Sequence, residues 1–396
     1  MDLNSVRPPK YVISVMERLT CHGFEAYMVG GCVRDLIIGR RPFDWDVCTS
    51  ALPEEVMTLF TRSRPTGLKH GTVTVISQGS TVEVTTFRSD GEYKDHRRPE
   101  SVLFIGDLKG DLERRDFTIN ALAMPLSGEI LDHFGGRQDI EKKLIRCVGE
   151  PEKRFEEDAL RMLRAFRFSA VLGFEIEHQT LTAIKIKAHL SGGLAKERVR
   201  IELEKTLLSD SPQVISDVIG YGLLRGIVAN DMPEADLILL KRLPKNRMLR
   251  WAGLCALLLR RGIIDDTEKF LTILRLDSAT IQGCTRGCAL VSAVSPQDAI
   301  SWKRLLAANG IETAKCAACA ADVLYGRGHM ELLRSVLLSG DCCSLKALAV
   351  SGDELLKLGF SGTELGKTLS LLLDYVIEHP SNNKKELLLA MVTEIK

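Results

Sequence analysis

Two aspartates separated by a single residue, Asp44-Trp45-Asp46, open the β-like run DWDVCTS at residues 44–50. Alternate residues of a strand point to one face, so this spacing predicts two carboxylates side by side. Like charges that close repel unless a cation neutralises them, and hard oxygen ligands suit Mg²⁺. A DxD standing alone is most often two solvated side chains. What sharpens this one is Gly30-Gly31-Cys32-Val33-Arg34-Asp35, a short distance upstream at a strand-to-helix turn. Glycines there let backbone N–H groups approach a phosphate, and Arg34 with the helix start adds positive charge. Alone, the Gly-Gly pair would be a tight turn without a ligand; beside the DxD it reads as a phosphate cradle.

Three further segments carry chemistry. Glu83 alternates with Thr81 and Thr85 in VEVTTF, which fits a side chain facing the two aspartates, a surface strand residue, or one that orients a ligand from behind. Arg114-Arg115-Asp116-Phe117-Thr118 precedes the helix-like INALAM. Paired arginines with an acid suit phosphate and ribose, although alone they would read as a helix-cap Asp with solvated arginines. In EDALRMLRAFR, Asp158, Arg161, Arg164 and Arg167 recur every third residue, near one helical face. Three arginines on one face repel unless they meet anions, which favours a charged ligand over a solvated stripe. Asp158 and Arg161 also suit base selection. Cytosine and adenine each present an amino donor beside a ring-nitrogen acceptor. A carboxylate can accept from the first while a guanidinium donates to the second. Uracil and guanine present the reverse. The bland reading is an i,i+3 helical salt bridge, which leaves the extra arginines unexplained.

The elements that must hold these groups change character near residue 150. Before it, the strands AYMVG (26–30), DWDVCTS (44–50), TVTVIS (72–77) and TVEVTTF (81–87) alternate with the helices GGCVRDLIIG (30–39) and PEEVMTLF (53–60). The last two strands make a hairpin around Gly79, and residues 88–101 are polar and loop-like. This describes a small α/β domain of four or five strands. After residue 150 the periodicity is helical, as in RFEEDALRMLRAFRFSAVLGF and RMLRWAGLCALLLRRG, with breaks near Gly192-Gly193, Pro233 and Pro296.

At 396 residues the chain exceeds one hydrophobic core. Its 45% hydrophobic and 27% charged composition is that of a soluble globular protein, with a net charge of only +1. A nucleic-acid enzyme of that charge must gather its positive groups locally. MDLNSVRPPK is no signal peptide, no apolar run is long enough to span a membrane, and the cytoplasm is the default location. Eleven cysteines without a secretion signal favour reduced, buried thiols. Cys316-Ala-Ala-Cys319, with Cys284, Cys288, Cys342 and Cys343, lies in helix-like segments and reads as core packing rather than structural zinc. The eight histidines form no phosphohydrolase-type His-Asp motif.

Together the ordered segments over residues 20–205 resemble the class II tRNA nucleotidyltransferases and bacterial poly(A) polymerases of the polymerase-β-like superfamily. They are GGCVRD with DWD, HGTVTV, VEVTTFR, DGEYKDHRRPESVLF, RRDFTINALA, EDALRMLRAFRF and ERVRIELEKTL. The resemblance implies an α+β chain: a small mixed-sheet nucleotidyltransferase head (1–150), a helical neck carrying nucleotide-selecting residues (151–210), and a helical body and tail that bind tRNA (211–396). It implies Asp44 and Asp46 as catalytic Mg²⁺ ligands and Gly31 with Arg34 as triphosphate contacts. Arg115 and Asp116 would touch nucleotide, Asp158 and Arg161 would pair with the incoming base, and Arg164 with Arg167 would complete the pocket. CTP and ATP are the implied substrates and tRNA the partner, as monomer or homodimer.

CC-adding members typically lack a segment like Asp90–Pro99, which this chain has, and poly(A) polymerases usually carry a longer basic tail than NNKKELLLAMVTEIK. CCA addition is thus favoured, with A-only addition and poly(A) synthesis as alternatives and a catalytically dead RNA-binding protein as a reading of another class. Lys241-Arg242-Leu-Pro-Lys245-Asn-Arg247-Met-Leu-Arg250, followed by Arg260-Arg261, fits either a phosphate-binding surface or a solvated helix face.

Overall fold

Val73, Val75, Val82 and Val84 are fully buried between less buried threonines and Glu83, and this alternation lays the hairpin β4 (Thr72–Ser77) and β5 (Ser80–Thr86) against a core. Gln78 and Gly79, both at positive φ, close it. The computed structural model describes residues 7–91, 102–228, 233–293, 298–326 and 328–395. The head holds a seven-stranded mixed sheet in the order β3-β4-β5-β2-β1-β8-β9. Its remaining strands are β1 (Ala26–Val29), β2 (Asp46–Thr49), β3 (Ser63–Gly67), β8 (Leu122–Met124) and β9 (Leu131–Asp132). β2 pairs parallel with β5, placing Asp46 opposite Glu83, and antiparallel with β1.

The sheet is larger than the four or five strands the periodicity predicts. β3 and β9 are too short or too Pro- and Gly-rich to alternate. The run INALAM is not a helix: Thr118–Asn120 form a single 3₁₀ turn and Leu122–Met124 a strand. Leu122, Ala123 and Met124 are all buried, so the run carries no period that separates strand from helix. Arg88–Asp90 (β6) and Val102–Phe104 (β7) pair antiparallel, so the presumed loop 88–101 begins as one strand of a two-stranded ribbon whose other strand follows it. Residues 92–101 of that segment, and Pro296, lie outside the described residues. The sheet is flanked by α1 (Lys10–Cys21), α2 (Gly31–Ile37), α3 (Pro53–Leu59), α4 (Leu108–Glu113) and α5 (Gly136–Glu141).

Beyond the head come α6 (Pro151–Glu157), α7 (Leu160–Leu172), α8 (His178–Lys187) and α9 (Lys196–Leu207), with a short parallel pair, β10 (Leu144–Ile145) and β11 (Glu175–Ile176). Two compact units result: one through Thr206 with Gly220–Arg225, the other Leu207–Ile219 with Gly226–Lys396.

The second unit is helical. After the short α10 (Ile215–Gly220) and α11 (Glu234–Leu237), its centre is α12 (Arg247–Arg260), α13 (Thr267–Ile273), α14 (Ser278–Ala293) and α15 (Ala299–Tyr325), the last broken at Gly310. α14 and α15 meet where Gly287 leaves no room: a Cβ there would lie 2.7 Å from Cys316 Cβ. Cys255, Cys284, Cys288, Cys316 and Cys319 are buried on these helices. Among the described residues, no group of three or more His, Cys, Asp or Glu is placed to hold a metal ion. α16 (His329–Leu338) and α17 (Gly352–Lys357) precede a separate apolar cluster, Leu355, Phe360, Leu372, Val376 and Leu388, which fastens α18 (Gly362–Glu378) to α19 (Lys385–Ile395). No described helix is long and apolar enough to cross a membrane.

The basic segment at 241–250 is not one surface. Arg250 is 1% exposed, and its guanidinium donates to the carbonyls of Leu207, Ser209, Leu243 and Pro244. Lys245 pairs with Asp210, Arg247 with Asp277 and Arg261 with Asp236. Lys241 and Arg242 remain exposed.

Candidate active site

A cleft of about 680 Å³ in the first unit is lined by the ten residues to which the family resemblance gives a role: Gly31, Arg34, Asp44, Asp46, Arg115, Asp116, Asp158, Arg161, Arg164 and Arg167. Elements far apart in sequence bring them together. β1 ends at Val29, and Gly30, with a φ of +78°, turns the chain into α2. A Cβ on Gly30 would lie 2.9 Å from Arg115 Nη1, so the glycine also admits that guanidinium. Asp46 is the first residue of β2, whereas Asp44 sits in the bend before it. The two carboxylates are neighbours, but through a bend and not through the strand alternation the spacing predicts.

Burial pushes Asp46 up to about 6; the charges of Glu83 and Asp44 act in the same direction, and Arg115 opposes them. Glu83 thus lies next to the pair across the β2–β5 ladder. A carboxylate held this far from easy ionisation by burial and then by acidic neighbours fits a divalent cation, which would relieve the repulsion.

Arginines form the opposite wall. Arg114 and Arg115 both grip the fully buried Asp111 on α4, at 2.8 and 3.1 Å. Burial works against the Asp111 charge, and the two guanidinium groups outweigh it and hold its carboxyl below the usual range. Asp116 is likewise buried yet held well below that range by Arg164 and Asn120. Its Oδ2 accepts from Arg164 Nε at 2.7 Å and its Oδ1 from Asn120 Nδ2 at 3.1 Å. Asn120 Oδ1 in turn accepts from Arg34. Arg34, Arg164 and Arg167 all approach the ring of Phe168, Arg167 at 3.9 Å from its centroid. Burial and the neighbouring Arg164 lower Arg167 to about 10, and its Nε lies 2.8 Å from Glu202 on α9.

Two expectations need correction. Asp158 and Arg161 do not share a helix: the chain leaves α6 at Asp158, which is extended (φ −142°, ψ 102°), and α7 starts at Leu160. The Arg161 N–H donates to the Asp158 carbonyl at 3.0 Å, but the side-chain ion pair between them does not form. Arg161 donates instead to Glu157 Oε2 at 3.2 Å and to the Arg114 carbonyl at 3.0 Å. Asp158 is gripped by Arg198 from α9. Second, the arginines of α7 already meet protein anions: Glu157, Asp116 and Glu202. The case for an anionic ligand rests instead on the lining as a whole, eight arginines against five aspartates. Asn120, Phe168, Arg198 and Glu202 escaped the sequence reading. All four lie in quoted motifs, RRDFTINALA, EDALRMLRAFRF and ERVRIELEKTL, but nothing in their spacing marks them.

A mixed-sheet head carrying a carboxylate pair opposite an arginine wall defines a nucleotidyltransferase. Residues 26–146 match the family described as Poly A polymerase head domain. Residues 173–237 match a second, described as a probable RNA and SrmB-binding site of polymerase A. The chain is 38% identical to the CCA-adding enzyme of Geobacillus kaustophilus (strain HTA426) over 98% of both chains. The crystal structure of the Bacillus stearothermophilus CCA-adding enzyme in complex with CTP superposes with a TM-score of 0.83, at 34% identity and 98% coverage of both chains. The Thermotoga maritima CCA-adding enzyme complexed with tRNA-CCA shares the fold, with a TM-score of 0.71, 21% identity, and coverage of 100% of this chain and 98% of that one. The protein belongs to the CCA-adding enzyme family.

Proposed function

We propose that the chain adds C, C and A, without a nucleic-acid template, to the 3′ end of tRNA, taking CMP and AMP from CTP and ATP and releasing pyrophosphate. The observation that carries this reading is the meeting of the Asp44–Asp46 pair with Asp158 and Arg161 in one cleft of a family member. Mg²⁺ held by Asp44 and Asp46 would neutralise charge at the α-phosphate and activate the attacking hydroxyl. Arg34 and Arg115, beside the Gly30–Gly31 turn, hold the triphosphate in line. The tRNA 3′ oxygen bonds to the α-phosphorus as the bond to the bridging oxygen breaks, and pyrophosphate leaves. Asp158 accepts from the amino group of C or A, and Arg161 donates to the adjoining ring nitrogen. The compartment that fits this work is the cytoplasm.

The test offers tRNAs ending before CCA, after C and after CC, each with single nucleotides. Stepwise C, C and A incorporation is expected. Addition only from ATP and only to the CC-ended tRNA would make the protein A-adding, and long A tails on unrelated RNAs would make it a poly(A) polymerase.

A further inference from the structure

Asp158 is the only carboxylate among the proposed base-reading groups, and it is an extended residue between α6 and α7, so no helix fixes the direction of its side chain. Its hydrogen bonds do. Oδ1 accepts from the Leu160 N–H at 3.1 Å and from Arg198 Nη1 at 3.2 Å. Oδ2 accepts from Arg198 Nη2 at 2.7 Å. A carboxylate offers about four acceptor sites, two on each oxygen. Oδ1 is therefore filled from within the protein, and Oδ2 keeps one site, in a cleft lined by both Asp158 and Arg198.

We infer that Arg198 is a positioning residue for base choice: its two-pronged grip on Asp158 turns Oδ2 toward the incoming base and keeps it an acceptor. This deepens the base-reading role proposed for Asp158 and rests on it. Arginine suits the task because its planar fork fixes the carboxylate plane as well as its place, which a single ammonium cannot do. The grip comes from α9, forty residues along the chain. The same helix holds Arg167 through Glu202, one turn further on. One rigid helix thereby sets two walls of the nucleotide pocket.

Without Arg198 only the Leu160 N–H still holds the carboxylate, and an acceptor aimed badly at cytosine or adenine discriminates less against uracil and guanine. The experiment measures kcat/KM for all four nucleotides on tRNA ending before CCA and on tRNA ending in CC, in Arg198→Ala, Arg198→Lys, Asp158→Ala and the Arg198→Ala/Asp158→Ala double variant. Thermal unfolding is followed for each to confirm folding. Arg198→Ala is expected to lower the preference of CTP over UTP, and of ATP over GTP, by roughly tenfold, the worth of one charge-assisted hydrogen bond. Arg198→Lys should fall between it and the unaltered chain. The double variant should discriminate no worse than Asp158→Ala, because Arg198 acts only through Asp158. Additive losses in the double variant, or an Arg198→Ala that lowers turnover with every nucleotide equally, would overturn the positioning role. If Asp158→Ala itself leaves the preference unchanged, base reading by Asp158 fails first, and the two failures are told apart.

Discussion

At the scale of single residues, the jobs proposed for the Asp44–Asp46 pair and for Asp158 are separable. Asp44→Ala and Asp46→Ala are each expected to abolish nucleotide transfer while tRNA binding stays nearly intact; residual turnover in both with Mg²⁺ present would remove the two-carboxylate mechanism. Asp158→Ala leaves an amino group of the nucleotide unpaired, at a cost of about 1–3 kcal/mol, or roughly five- to hundredfold in kcat/KM for CTP and ATP alike, with metal-dependent chemistry surviving. Asp46 also carries a pH signature. Its pKa in the folded chain, about 6, lies above the ordinary carboxylate value, so the folded protein favours the neutral acid. That favour is complete at low pH and is lost as pH rises through about 6, which leaves the metal-free enzyme strained at pH 8. Asp46→Asn should then raise the unfolding temperature in EDTA at pH 8, by at most about 3 kcal/mol of stability, and change it little at pH 4. An equal shift at both pH values would contradict this.

At the scale of elements, glycines decide how closely the parts approach. Gly287 on α14 faces the α15 backbone, and an added Cβ would lie 2.9 Å from Ala317 N. Alanine is the better helix former by about 1 kcal/mol, yet overpacking against main chain costs about 1–3 kcal/mol. Gly287→Ala should therefore lower the unfolding temperature. Gly366 on α18 has nothing within 4 Å of its would-be Cβ and is exposed, so Gly366→Ala should raise it. Calorimetry on the two variants checks the opposite signs. Strands and helices with a clear period were readable: β4 and β5 from alternation, α2 and α3 from their glycine and proline starts. β8 was not, because a segment buried on both faces has no polar phase to betray its geometry.

For the whole molecule, a net charge of +1 means that RNA affinity must come from local groups. Charge reversal at Lys241 and Arg242, which stay exposed, should weaken tRNA binding and flatten its salt dependence by about one unit of slope per lost phosphate contact. Arg250→Ala should instead unfold the helical unit, since its four carbonyl partners are internal. Filter binding across a salt series, beside thermal unfolding, separates the two effects. The sequence by itself determined the family, the change from mixed head to helical remainder, and ten of the residues that line the cleft. Residue type and short-range spacing suffice for those, because they record chemistry and period. Only the tertiary structure decided partnerships. Arg34 bonds Asn120 across 86 positions, Arg164 reaches Asp116 across 48 and Arg198 holds Asp158 across 40. An arginine written in a sequence is equally ready to meet a ligand, a solvent molecule or a buried carboxylate. Which of these it meets depends on what the fold brings within 3 Å of it, and local spacing carries no record of that.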